Sequence, residues 1–199
     1  MKPSIPAESS DVVIFQDSVA GVSLTVYERF IRLGETVVPM EHSIAFAAAS
    51  GRFFLVADRR EIRVFSVAGE TPSLHSHITA EHDISSLALT TVDETPLLAV
   101  CEWRANTISV FRGESLLHRE TLSSCGQSSL FSLQRDGLFL LVSCVDGSLR
   151  IYKAPSWSEE RSFHVTRCAG RWLACEDPSL FLLLGRKSCV LVHSNAAWL

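Results

Sequence analysis

The sequence predicts an all-β fold built from WD40-like β-propeller blades, on three observations. A four-residue pattern recurs at intervals of 46, 41 and 41 residues, as Ile62-Arg63-Val64-Phe65, Ile108-Ser109-Val110-Phe111, Leu149-Arg150-Ile151-Tyr152 and Val190-Leu191-Val192-His193. Short apolar runs such as 53–57 and 138–142 precede the pattern, and turn residues separate the runs at matching offsets. A period near 40 residues is typical of propeller blades, which must stack because one small sheet cannot bury both its faces alone.

The repeats divide the chain into an ordered series of predicted elements. Residues 1–11 contain two prolines and no apolar stretch, so we expect a disordered N-terminal segment, followed by a partial propeller over residues 12–199. Complete blades are predicted at about 43–79, 83–122 and 128–166, and an incomplete one at 171–199 that ends in its third strand. The best-defined blade has strands at 83–91, 97–103, 107–112 and 116–122. Asp136-Gly137 and Asp146-Gly147 are the strongest hairpin signals.

The number of blades predicts an incomplete propeller. About three complete four-stranded blades, with partial blades at both ends, fall short of the four to eight that usually close a ring. Three explanations stay open: strands supplied from elsewhere, a piece of a longer chain, or an open arc that depends on a partner. We favour the piece, because the sequence begins and ends within a blade.

Composition indicates a folded chain that stays inside the cell. The chain has 199 residues, of which 47% are hydrophobic, which is enough for a buried core. The apolar runs are too short to cross a bilayer, and no secretory signal opens the sequence. Six cysteines form no CxxC pair, so we expect reduced thiols in the core. A net charge of −4 without basic blocks disfavours direct nucleic-acid binding.

The sequence contains no residue pattern that favours an enzymatic site, a cofactor site or a metal site. The sequence lacks a G-x-S-x-G motif, and His75 and His77 have no third ligand at a recognisable spacing. His42 and His82 precede inner strands and are expected to bond backbone carbonyls there. A propeller enzyme, the rival from another class, would need titratable residues on its inner strands. The predicted inner strands at 45–49, 85–89 and 130–133 are mainly Ala, Ser, Leu and Phe.

Three stretches resemble a known family. They are Glu81-His82-Asp83-Ile84-Ser85-Ser86-Leu87-Ala88-Leu89-Thr90, Pro96-Leu97-Leu98-Ala99-Val100-Cys101-Glu102-Trp103 and Leu116-Leu117-His118-Arg119-Glu120. They are similar to the second propeller of the large subunits typified by the damaged-DNA-binding protein, with relatives in the splicing-factor 3b complex and the cleavage and polyadenylation specificity factor. The resemblance covers roughly residues 12–152.

The resemblance implies a nuclear, non-enzymatic docking scaffold, with the cytoplasm as a further location. In the damaged-DNA-binding subunit the second propeller docks a cullin scaffold, which makes that protein a ubiquitin-ligase adaptor in DNA repair. Asp83 and Trp103 match the positions of an acidic residue and a tryptophan on the cullin-contacting face. Trp103 is either such an anchor or a cover for the hydrophobic edge of its blade.

Two alternatives within this reading stay open. One is an RNA-processing subunit of the splicing or polyadenylation type, whose partners would be the other subunits of such a complex. The other is a non-functional fragment. Under either docking role, nucleic acid would be reached only indirectly through the complex, and neither a membrane nor a small-molecule substrate is expected.

Overall fold

We describe the fold from a computed structural model. It describes residues 12–134, 137–164, 170–174, 180–185, 189–193 and 196–198; beyond residue 164, Leu183 is the one side chain described. The predicted disordered segment 1–11 lies outside these residues. The turn residues Asp177-Pro178 and Arg186-Lys187, which the sequence places between strands of the last repeat, also lie outside them. So does Asp136 of the predicted Asp136-Gly137 turn.

Antiparallel strands, hydrogen-bonded in chain order, form five four-stranded sheets within the described residues. Sheet 1 contains β1 (Val13–Val19), β2 (Val22–Tyr27), β3 (Phe30–Leu33) and β4 (Thr36–Pro39). Sheet 2 contains β5 (Phe46–Ser50), β6 (Phe53–Ala57), β7 (Glu61–Ala68) and β8 (Thr71–Thr79). Sheet 3 contains β9 (Ile84–Val92), β10 (Thr95–Glu102), β11 (Thr107–Arg112) and β12 (Ser115–Thr121).

The remaining strands repeat the same up-and-down order. Sheet 4 contains β13 (Gly126–Gln134), β14 (Gly137–Cys144), β15 (Ser148–Lys153) and β16 (Ser158–His164). Sheet 5 contains β17 (Gly170–Ala174), β18 (Leu180–Gly185), β19 (Cys189–His193) and β20 (Ala196–Trp198). The fold is therefore all-β, and its meandering four-stranded sheets are consistent with propeller-like blades.

Burial explains why the second strand of each middle sheet is a continuous apolar run. Every residue of β6 is buried, as is all of β10 and β14 except the first residue of each. A strand covered on both faces needs apolar side chains at successive positions. In the fourth strands β8, β12 and β16, by contrast, most residues are exposed and alternate in part with less exposed ones. The charged residues of β12 and β16 and Pro72 of β8 discourage these edge strands from pairing with other strands.

Neighbouring sheets stack through shared hydrophobic clusters. Leu98 and Val100 of β10 pack with Phe53 and Leu55 of sheet 2, while the alternate β10 residues, such as Leu97, pack with sheet 4. The first strands β1, β5, β9, β13 and β17 follow one another as spatial neighbours. Among the described residues, no substantial contact joins β17 to β1. No closed propeller is found in this part of the chain.

The sequence prediction undercounted the strands at both ends. Sheet 1 is complete, whereas the sequence shows only a degenerate copy of the repeated pattern there, Val22-Ser23-Leu24-Thr25. Its strands β3 and β4 have only four residues each and are joined by a tight turn. The region 171–199 was predicted to end in its third strand, which is wrong, because β20 pairs with β19. A three-residue strand is too short for a periodic signal. Sheet 3 agrees with its four predicted strands to within two residues at each end.

The described cysteines are core residues. Cys101, Cys125 and Cys144 are buried and free, and burial raises the pKa of all three thiols. A Cβ added to Gly126 would lie 2.6 Å from the Cys101 sulfur, so glycine is needed where β13 approaches β10. These thiols therefore pack the junction of sheets 3 and 4, as expected for reduced core cysteines. Side chains of the other cysteines lie outside the description.

Candidate docking face

The two predicted site residues, Asp83 and Trp103, lie at the same end of the sheets. In an up-and-down sheet, the turn between the second and third strands lies at the same end as the connection to the next sheet. We call this end the connector end. It consists of the turns 58–60, 103–106 and 145–147 and the connections 40–45, 80–83 and 122–125. Backbone hydrogen bonds tie turns to connections, as from Val145 N to Cys125 O at 2.9 Å.

Asp83 and Trp103 lie side by side at the connector end. The Trp103 amide donates a hydrogen bond of 2.6 Å to the Asp83 carbonyl oxygen. The Asp83 carboxylate accepts a 3.0 Å bond from Nε of Arg60, which comes from the turn of the preceding sheet. Trp103 is 47% exposed. The structure thus brings the two predicted site residues together with Arg60, which the sequence did not indicate as a site residue.

The turn that carries Trp103 has a well-defined backbone. Arg104 and Asn106 adopt positive φ angles of 69° and 53°. The Asn106 carbonyl oxygen accepts a 2.6 Å bond from the Leu122 amide, and the Ala105 amide bonds to the Trp103 carbonyl oxygen at 2.9 Å. These hydrogen bonds hold the backbone of the turn in place, so the Trp103 ring extends from a fixed position.

A buried carboxylate lies directly behind Trp103. The side chain of Glu102 is 4% exposed. Its Oε2 accepts bonds from Thr107 Oγ1 at 2.6 Å and Arg119 Nη2 at 3.2 Å. Its Oε1 accepts the His82 amide at 3.0 Å. Glu102 therefore connects the turn, the outer strand and the incoming connection.

Arg119 extends this network to the surface. Its two terminal nitrogens donate bonds of 2.8 Å each to the two oxygens of Glu81. This hydrogen-bonded pairing lowers the pKa of Glu81 and raises that of Arg119. Sequence reasoning missed the whole network. Its one available signal was an ionisable residue, Glu102, at the end of an apolar run.

A second exposed apolar side chain occupies the equivalent turn of sheet 4. Val145 is 46% exposed and lies beside Asp146, whose Oδ1 accepts bonds from the amide and hydroxyl of Ser148 at 2.9 and 2.7 Å. The connector end therefore presents the apolar side chains of Trp103 and Val145 among charged groups. Apolar anchors within a polar rim are typical of protein–protein interfaces.

The histidines take structural positions. The backbone amide of His82 donates a hydrogen bond to Glu102. Nδ1 of the His82 ring is buried without a hydrogen-bond partner, whereas the sequence predicted a bond from this side chain to a backbone carbonyl. His77 is exposed on β8 and bonds to Glu61. His75, also exposed, contacts the Phe53 ring edge-on. In the portion of the chain with described side chains, no three His, Cys, Asp or Glu residues group in a way that could hold a metal ion.

Hydroxyl groups on the inner strands link neighbouring sheets. Ser85 Oγ donates to the Gly126 carbonyl oxygen at 2.6 Å, and the Ser86 and Ser129 hydroxyls lie 2.8 Å apart. Thr91 Oγ1 donates to the Ser50 carbonyl oxygen at 2.9 Å. These side chains hold first strands against each other.

In the described part of the chain, no helix has the length and apolar character to span a membrane. No protein-family model matches the chain, and none of the curated proteins compared with it matches either.

Proposed function

We propose that this chain is a non-enzymatic docking scaffold made of propeller blades, similar to the second propeller of the damaged-DNA-binding subunit. Its partner in this proposal is a cullin scaffold, bound at the connector end through Trp103 and Asp83. The observation that carries the proposal is that the Trp103 ring is half-exposed and lies beside Asp83. The Trp103 amide donates a short hydrogen bond to the Asp83 carbonyl oxygen, which fixes the backbone at this point. The setting is the nucleus, with the chain acting as an adaptor for a ubiquitin ligase.

The stacking of the sheets supports the propeller part of the proposal. Each sheet is a four-stranded meander, and each first strand lies next to the first strand of the following sheet. Five blades lie within the range that propellers use. Among the described residues no substantial contact joins β17 to β1, so the proposal does not require a closed ring.

The energetics favour Trp103 over Asp83 as the main anchor. A tryptophan buries about 150–250 Å² in a full contact, so covering its exposed half would remove about 100 Å² from water. At about 25 cal/mol per Å², this contributes about 2.5 kcal/mol to binding. Asp83 and Arg60 have side chains that are 46% and 55% exposed, and an exposed pair of this kind contributes at most about 1 kcal/mol.

The test is affinity capture from cell extract with the wild-type chain and two variants. Trp103→Ala is expected to lower cullin recovery strongly, since about 2.5 kcal/mol corresponds to a loss of affinity of about 60-fold. Leu117→Ala is the matched control, because Leu117 is also 47% exposed but lies near the other end of its strand.

The outcomes separate the candidate functions. Equal recovery of a cullin by the wild type and Trp103→Ala would contradict the assignment of Trp103. Recovery of splicing or polyadenylation subunits in place of a cullin would favour the RNA-processing alternative. Recovery of neither would contradict the family-level role.

A further inference from the structure

A cleft of about 210 Å³ opens between sheets 2 and 3. Its apolar wall comes from both sheets, with Ile78 on one side and Val100, Phe111 and Leu116 on the other. The cleft has room for one large side chain rather than for a cofactor. Leu116 is 51% exposed at its rim.

The cleft lies where the repeated pattern has a serine, at a position that arginine occupies in the preceding and following patterns. Arg63, Ser109 and Arg150 are the second residues of three of the recurring patterns, and each pairs with a valine of the second strand in its sheet. The three positions are therefore structurally equivalent. Where Arg63 is present, the corresponding space between sheets 1 and 2 shrinks to about 10 Å³. Serine at position 109 leaves the next space open.

Arg150 shows how the fold holds a guanidinium in such a space. It lies between sheets 3 and 4 with its side chain 17% exposed. Its Nη1 bonds to Glu159 at 2.8 Å and to Glu120 at 3.4 Å, and its Nη2 donates to Ser123 Oγ at 3.0 Å. The equivalent of Ser123 in the open cleft is Glu81, because Leu122 and Ala80 make matching backbone bonds just before them.

The charge in the open cleft is complementary to a cation. Two carboxylates, Glu81 and Glu102, face a single guanidinium, Arg119, so acidic groups outnumber basic ones in the lining. Both Glu81 oxygens and Oε1 of Glu102 each accept one recorded hydrogen bond, which leaves them further acceptor capacity. Ser109, 4% exposed, adds a hydroxyl to the wall.

The residues at the rim of the cleft determine which kind of side chain can enter it. Leu116 pairs with Phe111 as Glu159 pairs with Tyr152, so an apolar residue stands where the neighbouring interface has an acid. A side chain that enters between the outer strands β8 and β12 therefore crosses apolar surface before it reaches the carboxylates at the connector end. A long apolar stem with a cationic fork at its tip fits this order, and arginine has both.

We propose that this cleft binds an arginine side chain of a protein partner, with the stem along Ile78 and Leu116 and the guanidinium at Glu81 and Glu102. The cleft adjoins the candidate docking face, since Glu102 directly precedes Trp103. The proposal rests on the docking function for the existence of a partner. The chemistry of the cleft can be tested without one.

The test is a titration of the full chain with N-acetyl-arginine amide, followed by NMR of the Ile78 and Leu116 methyl groups. We expect saturable shifts at both methyls, and at least tenfold weaker binding of the citrulline analogue, which has the same shape without the charge. Equal binding of citrulline, or no response to the arginine probe, would overturn the proposal.

Two variants locate the binding. Ser109→Arg is expected to abolish probe binding, because the new side chain fills the cleft as Arg63 and Arg150 fill theirs, whereas Ser109→Ala keeps it. Should Ser109→Arg not fold, Glu81→Gln serves, because the Glu81 side chain is 65% exposed and a several-fold loss of probe affinity is expected. Wild-type binding by a folded Ser109→Arg, or by Glu81→Gln, would contradict the site. Because the probe requires no partner, failure here is distinguishable from failure of cullin capture.

Discussion

Replacing Leu98 with alanine is expected to lower the free energy of unfolding by about 2–5 kcal/mol. Leu98 is 2% exposed and belongs to the cluster that joins sheet 3 to Phe53, Leu55 and Ile78 of sheet 2. The substitution removes apolar contacts from both sheets and leaves a cavity between them. Urea denaturation followed by circular dichroism measures the change.

The control for Leu98→Ala is Leu117→Ala, which removes an equal side chain from an exposed position. It is expected to change stability by at most about 0.5 kcal/mol. Equal effects of the two variants would show that sheets 2 and 3 are not packed face to face. Since one four-stranded sheet cannot bury both its faces alone, that result would also contradict the stacking of the sheets.

Glu102→Ala is expected to destabilise the chain by about 3 kcal/mol, because three donors lose their acceptor in a buried site. These donors are Thr107 Oγ1, Arg119 Nη2 and the His82 amide. Arg119 retains Glu81 as a partner, which keeps the loss at the lower end of the range for broken buried ion pairs. Thermal and urea unfolding of the variant provide the measurement.

Glu102→Gln is the matched variant, because it keeps the shape and one carbonyl acceptor while removing the charge. We expect a smaller loss of stability than with alanine. If alanine and glutamine were both neutral, the Glu102 network would contribute nothing to the stability of the folded state and would not hold the turn that carries Trp103.

The middle of the fold could be predicted from the sequence because its strands are long, apolar and separated by strong turn signals. The buried residues 53–57 of β6 and 138–142 of β14 are visible in the sequence as unbroken apolar runs. The short strands of sheet 1 and β20 could not be found in this way, because three or four residues hold too little periodic information.

The site was accessible to sequence reasoning only in part. The resemblance selected Asp83 and Trp103, and the structure places them in contact. Arg60, 23 residues before Asp83, reaches it because the connection 80–83 runs past the turn 58–60 at the same end of sheet 2, a relation that linear spacing does not show. The cleft did leave a signal, since the second repeated pattern has serine where the first and third have arginine. Its meaning depends on the space between sheets, which only the structure displays.

Hydrogen exchange of the chain, alone and in complex with a cullin scaffold, tests docking through the connector end most directly. We expect slower exchange in the complex at amides of residues 80–83 and 103–106, with unchanged exchange at the opposite turns 69–70 and 113–114. Slower exchange confined to those opposite turns would contradict the account, because it would place the partner on the other end of the sheets.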